Sequence, residues 1–150
     1  MTADLQTALR LAANGYRVFP LEPNGKTPAI AKWPAKATCD AATVERWWRD
    51  PVLGWEADWG VGVATGRGLF VVDVDAKNGG IESFALLEDM LPHTLRVRTP
   101  SGGLHLYFRG RAPVRNSASK IAAGIDVRGE GGYVVGPGTS IDGRRYEIVA

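Results

Sequence analysis

Apolar residues recur at Leu5, Ala8, Leu9 and Ala12, the spacing of one helix face, and Asn14-Gly15 follows with the chemistry of a helix C-terminus. Residues 16–21, Tyr-Arg-Val-Phe-Pro-Leu, then alternate as a short strand, and Glu22-Pro-Asn-Gly-Lys-Thr-Pro28 is a turn-rich loop. A second helix is expected from a cap at Thr38 or Asp40 to Pro51, with Val44, Trp47 and Trp48 at i, i+3 and i+4 forming its apolar stripe. These tryptophans read as core rather than as a base-stacking platform.

From residue 60 the pattern becomes strand-rich. Residues 60–64 (Gly-Val-Gly-Val-Ala) and 69–75 (Leu-Phe-Val-Val-Asp-Val-Asp) are expected strands, followed by a helix with Ile81, Phe84, Leu87 and Leu91 inward. Strands at 95–99, 104–109, 125–128 and 133–135 follow, then a hairpin turning at Asp142-Gly143 into a strand over 145–149. Hairpin-like strands with helices between them imply an α+β domain: a mixed, mostly antiparallel sheet with flanking helices. The length of 150 residues suits one domain, with a subdivision into an N-terminal αβ region, 1–58, and a core, 59–150.

Composition narrows this modestly. At 45% apolar and 23% charged, the chain is an ordinary globular sequence. It has no apolar run of about 18 residues, and Asp4 precedes any basic residue, so neither a membrane span nor a secretory signal is expected and the cytoplasm is the expected location. A lone Cys39 with His93 and His105 completes neither a disulfide nor a structural zinc site. A formal charge of +2 gives no large field for a polyanion. Basic residues do cluster locally, at Arg96 and Arg98, Arg109 and Arg111, and Arg144 and Arg145, where they could follow a phosphate backbone or simply be solvated.

Three segments carry candidate chemistry. In Val71-Val-Asp-Val-Asp75, alternation sends Phe70, Val72 and Val74 into the core and both carboxylates out together; two such carboxylates repel unless a cation lies between them, and Mg²⁺ or Mn²⁺ prefers oxygen ligands. The competing reading is a polar strand end merging into the turn 75–80. In Thr99-Pro-Ser-Gly-Gly-Leu-His105, the Ser101-Gly-Gly103 backbone can approach a phosphate closely. His105, Tyr107 and Arg109 share the face opposite Leu104, Leu106 and Phe108, and His105 can donate to the same oxygens. In Gly124-Ile-Asp-Val-Arg-Gly129, Asp126 offers another metal oxygen and Arg128 a charge for triphosphate, unless the two simply pair.

In this order the three segments resemble the archaeo-eukaryotic primase superfamily, and within it the primase-polymerase domain at the N-terminus of plasmid and phage replication proteins. Gly15-Tyr-Arg-Val-Phe-Pro-Leu21, Gly25-Lys-Thr-Pro28, the Trp47-Trp48 helix and Gly60-Val-Gly-Val-Ala-Thr-Gly66 add to the likeness. The resemblance implies a catalytic core with an RRM-like palm and an N-terminal αβ module. It also implies a template-directed DNA primase/polymerase that adds (d)NTPs to a 3′-hydroxyl with two divalent ions, Mg²⁺ or Mn²⁺. By it Asp73, Asp75 and Asp126 are metal ligands, and His105 and Ser101 contact the triphosphate. Arg128 and Lys26 are further phosphate candidates. Its partners would be single-stranded template, primer and a helicase domain or other replication protein.

Other motifs fail on spacing. Pro20 stands where a P-loop ending Gly25-Lys26-Thr27 needs its first glycine. The glycines at 60–66 lack the last spacing of a dinucleotide fingerprint and precede a strand. His105 has no second histidine at the spacing of a rolling-circle nuclease. The remaining alternatives are a replication domain that binds nucleotide or nucleic acid without catalysis, and a sugar-nucleotide transferase that would give His105 and Asp126 no special role.

Overall fold

The computed structural model describes residues 3–50, 59–110 and 114–150. In chain order it has helix α1 (Ala3–Ala13), strand β1 (Val18–Leu21), the one-turn helix α2 (Trp33–Lys36), helix α3 (Ala41–Arg49), strands β2 (Gly60–Ala64) and β3 (Leu69–Val74), and helix α4 (Gly80–Leu87), which runs into a 3₁₀ turn (Glu88–Met90). Strands β4 (Leu95–Arg98), β5 (Leu104–Arg109), β6 (Ser117–Ala122), β7 (Ile125–Arg128), β8 (Tyr133–Val135), β9 (Ser140–Ile141), β10 (Arg144–Arg145) and β11 (Glu147–Ile148) follow. The class is α+β, and every pairing between these strands is antiparallel. No described helix is long and apolar enough to cross a membrane. The chain gathers into two compact units, neither continuous in sequence: Met1–Ala64 with Tyr133–Tyr146, and Thr65–Gly132 with Glu147–Ala150.

In the first unit, α1 ends as its sequence implies. Gly15 takes φ 85°, its N–H bonds the Ala12 carbonyl, and the Tyr16 N–H bonds the Leu11 carbonyl, a Schellman closure. The buried face is Leu5, Ala8, Leu11 and Ala12, so Leu11 takes the inward place expected of Leu9. Helix α1 packs on α3 and on β1 and β2. Helix α3 buries Val44 and Trp48, whereas Trp47 is half-buried. The expected helix end at Pro51 lies outside the described residues.

The N-cap of α3 is Asp40, whose Oδ2 accepts from the Thr43 hydroxyl at 2.6 Å and the Thr43 N–H at 3.1 Å. These two bonds hold its pKa below the ordinary 3.8. A depressed carboxylate pKa contributes stability above the unfolded value and loses it as pH falls through the folded one. Asp40→Ala is therefore expected to lower the thermal midpoint at pH 7, with the gap to wild type narrowing below about pH 4. Melts at pH 7 and pH 2 check this, and a gap of equal size at both would contradict it.

The three-stranded sheet of this unit runs β1-β2-β8. Pro20 is tolerated because β1 is an edge, and its carbonyl still accepts from the Ala29 N–H at 2.9 Å. Gly62, opposite Phe19, leaves room for that ring, which a Cβ would meet at 2.5 Å. Phe19 stacks on Trp33 at 4.8 Å, and Tyr133 meets both rings edge-on. The helix that carries Trp33 has no counterpart in the apolar pattern, being one turn entered through Lys32 at φ 58°. The Asp142-Gly143 turn forms with both residues at positive φ. The single strand expected over 145–149 is instead two. The backbone of buried Tyr146 bonds Thr139 and Gly138, ending β10, and β11 then pairs with β4.

The second unit is built on a six-stranded sheet in the order β11-β4-β5-β3-β7-β6. Its core face carries Val74, Leu106, Phe108 and Ile125 packed with Phe84 of α4, bordered by Phe70, Val72, Leu91, Leu104 and Ala122. This is the inward set that alternation requires of Phe70, Val72 and Val74. Ile81, expected inward, is 41% exposed. Helix α4 is only eight residues long, so Phe84 fills the space over the sheet and Leu91 supplements it from beyond the helix. Edge strand β6, Ser-Ala-Ser-Lys-Ile-Ala, lacks an alternating apolar pattern and pairs with β7 through a bulge, which is why the sequence does not announce it.

Candidate active site

Directly opposed residues of antiparallel strands share a sheet face. In the second unit the register places Ile148 opposite Val97, Val97 opposite His105, His105 opposite Asp73, Asp73 opposite Asp126, and Asp126 opposite Ala118. Asp126, Asp73 and His105 therefore lie side by side in one row, on the face away from Phe84. The neighbouring row on that face holds Leu95, Tyr107, Val71 and Arg128. Three sequence segments far apart in the chain thus meet by strand pairing alone.

Two carboxylates directly opposed on neighbouring strands have Cβ atoms about 5 Å apart and destabilise the sheet by up to ~1 kcal/mol. His105 stands on the other side of Asp73, with its Nε2 3.5 Å from Asp73 Oδ1. The histidine side chain is 8% exposed and the aspartate 26%, so the row is largely withdrawn from water yet open at its carboxylates. A divalent cation suits this donor set: Mg²⁺ is held by one or two carboxylates together with water and substrate phosphates.

Asp75 lies one residue beyond β3 and is fixed differently. Its N–H bonds the Gly124 carbonyl at 2.8 Å, and its own carbonyl accepts from the Gly80 N–H at 3.0 Å. Its Oδ1 accepts from the Lys77 N–H at 2.8 Å and its Oδ2 from the Asn78 amide at 2.5 Å. The Lys77 N–H, and after it the Asn78 amide, holds the Asp75 pKa below 3.8. The two carboxylates expected to emerge together are thus held differently, Asp73 within the row and Asp75 in the turn beyond the strand. Among the described residues, no three or more His, Cys, Asp or Glu side chains are gathered closely enough to hold a metal as they stand.

The segment 99–103 forms the tight connection between β4 and β5. The Gly102 N–H bonds the Thr99 carbonyl, the Thr99 N–H bonds the Gly103 carbonyl, and the Gly103 N–H bonds Thr99 Oγ1, each at 3.0 Å. Gly102 sits at φ 92°. Thr99 Oγ1 also lies 3.2 Å from Ser101 Oγ, steadying that exposed hydroxyl. Gly103 passes so close to the Val74 carbonyl that a side chain would not fit, which keeps the Ser101 turn beside the strand end that carries Asp75.

Of the other candidates, Arg128 is exposed and shares the carboxylate face. Lys26 belongs to the first unit, where it is exposed and its carbonyl accepts from the Tyr133 hydroxyl at 2.7 Å. Of the basic clusters, Arg96 faces the helix side, paired with Glu88 at 3.0 Å and lying over the Phe84 ring at 5.5 Å. Arg109 shares the face of His105, and Arg111 lies outside the described residues. Sequence reasoning missed Asn78 and Thr99, which hold Asp75 and Ser101 in place. The signal was present in Asp75-Ala-Lys-Asn78, a run of the kind whose first side chain bonds the backbone two residues on.

The family model described as "Bifunctional DNA primase/polymerase, N-terminal" matches residues 8–150, through both units. No curated protein matches the chain.

Proposed function

The chain belongs to the family of bifunctional DNA primase/polymerase N-terminal domains, whose general role is primase/polymerase work in DNA replication, and from that premise we propose that it is an active, metal-dependent nucleotidyltransferase extending a primer on a template. The observation that carries the proposal is the row Asp126–Asp73–His105, because strand register sets two carboxylates and a histidine side by side on one face.

Asp73 and Asp126 hold the divalent ions in this reading, with Asp75 at the strand end as the third oxygen donor. Bound Mg²⁺ or Mn²⁺ would supply activation of a 3′-hydroxyl and neutralise charge on the α-phosphate and the departing pyrophosphate. His105, steadied by Asp73, donates a ring N–H to the triphosphate. Ser101 adds a hydroxyl from its glycine turn, and Arg128 adds positive charge from the next row. The partners are a single-stranded template, a primer and (d)NTP, with a helicase as the expected source of single strands.

The second reading, nucleotide binding without catalysis, draws on the engagement of Asp75 with its own turn. A primer-extension assay with Mg²⁺ or Mn²⁺ separates the two. Template-dependent extension supports the enzyme, and a folded, nucleotide-binding sample that extends nothing overturns it. A charge-assisted hydrogen bond is worth about 1.5–3 kcal/mol. His105→Ala is accordingly expected to raise the nucleotide KM about 10- to 100-fold while Mn²⁺ still binds. Steady-state kinetics over nucleotide concentration checks this, and an unchanged KM would remove His105 from the triphosphate site.

A further inference from the structure

The aromatic cluster around Trp33 takes no part in the carboxylate row and lies wholly within the first unit. Buried Phe19 stacks on the indole at 4.8 Å with the rings 22° apart, and Tyr133 meets it at 66°. Trp33 is nonetheless only half-buried, and the turn α2 that carries it buries none of its residues, whereas the core tryptophan Trp48 is 2% exposed. An aromatic ring is thus held in place from within while part of its surface stays in water. Its surroundings carry one sign of charge. Between Glu22 and Asp40 the chain has three lysines, Lys26, Lys32 and Lys36, all exposed, and no carboxylate. Lys32 directly precedes the indole in a left-handed conformation, φ 58°, that disfavours a side chain. Lys36 stands at i+3 from Trp33, on the same side of the turn. The Tyr133 hydroxyl bonds the Lys26 carbonyl at 2.7 Å, and the Glu22 N–H bonds the Thr27 carbonyl at 2.8 Å, so the loop that carries Lys26 is tied to the ring cluster.

We infer that Trp33 with Lys26, Lys32 and Lys36 forms a binding surface for single-stranded DNA, an inference that rests on the reading of a single-stranded template as partner and not on the carboxylates or any metal. A base stacks on the indole, and the lysines take the phosphates on either side of it. Every base has a π-face, so such a platform tolerates any template sequence, and lysine charge follows the backbone without reading it. A duplex hides its base faces in its own stack and offers the indole nothing.

The test follows the fluorescence anisotropy of a labelled oligo(dT) of about 12 nucleotides with the whole chain, in the absence of divalent metal and nucleotide, so that the result does not depend on the catalytic reading. Trp33→Leu keeps an apolar side chain against Phe19 and loses the ring, Trp33→Phe keeps a ring, and a triple variant carries Lys26→Gln, Lys32→Gln and Lys36→Gln. Trp33→Leu is expected to weaken single-strand binding about tenfold, Trp33→Phe by a smaller factor, and neither to change binding of a duplex of the same length. The triple variant is expected to bind more weakly and to make the fall of log affinity with log salt shallower by about 2. Its changes fall on exposed side chains, so it decides the matter even where a change at Trp33 disturbs the fold. Wild-type affinity and salt slope in the triple variant, wild-type affinity in folded Trp33→Leu, or equal losses on single strand and duplex overturn the inference and leave the nucleotidyl-transfer proposal standing. A wild-type chain that binds no oligonucleotide overturns this surface together with the single-stranded partner on which it rests.

Discussion

Asp73→Asn is expected to abolish primer extension while leaving the metal-free chain as stable as wild type or slightly more so. Asp73 sits at the centre of the row, opposed by Asp126 on one side and by His105 on the other. In the proposed site its replacement would remove an ion ligand and the carboxylate beside the histidine. Charge stabilisation by bound metal is worth several kcal/mol, and each 1.36 kcal/mol is tenfold in rate, so the loss should reach about 10³-fold or more. Stability moves the other way. The amide is isosteric and relieves the repulsion between opposed carboxylates, worth up to ~1 kcal/mol on a sheet. Asp126→Asn should behave alike, and the double variant should lose little more than either single one, since ligands of one centre act as a unit. Extension assays and thermal melts on the same samples report both quantities. Near-normal extension by Asp73→Asn would remove the row from the chemistry.

Gly124→Ala is expected to have the largest effect on stability, roughly 3–5 kcal/mol, which would leave a small domain marginal. Gly124 has φ 71°, and a Cβ there would run into the backbone of Gly80 and the carbonyl of Asn78. None of these atoms can rotate away, so the turn that holds Asp75 must separate from the turn before β7. Gly102→Ala supplies the contrast, because Gly102 has φ 92° and open space around it. It should cost only the left-handed strain, about 1–2 kcal/mol. Urea unfolding of both variants tests the difference, and equal losses would mean that conformation rather than close packing governs Gly124.

Much of the site could be read from residue order because strand alternation is a local rule. Phe70, Val72 and Val74 had to face opposite Asp73, and Leu104 and Leu106 opposite His105, whatever the strands paired with. What alternation cannot supply is register. That Asp73 lies opposite both His105 and Asp126, and not two residues higher or lower, depends on pairing among segments more than 20 residues apart. Asp75 shows the same limit from another side: by parity it belongs with Asp73, but it falls just past β3, where hydrogen bonds from Lys77 and Asn78 decide its orientation. Ile81 misled because helical spacing marks an apolar stripe without saying how wide the contact with the sheet is. The split at Tyr146 was hidden because its backbone bonds to Gly138 and Thr139, and the pairing of β11 with β4, leave no mark in the apolar pattern. Lys26 carried no pattern beyond its type, and it falls in the other unit.

The most direct test of the carboxylate row is a crystal structure of the chain with a non-hydrolysable nucleoside triphosphate and Mn²⁺, read by anomalous scattering at the manganese edge. Manganese is expected bound to Asp73 and Asp126, within reach of Asp75, with the triphosphate running toward His105 and Ser101. Nucleotide and manganese bound together away from Asp73 and Asp126 would contradict the proposed site.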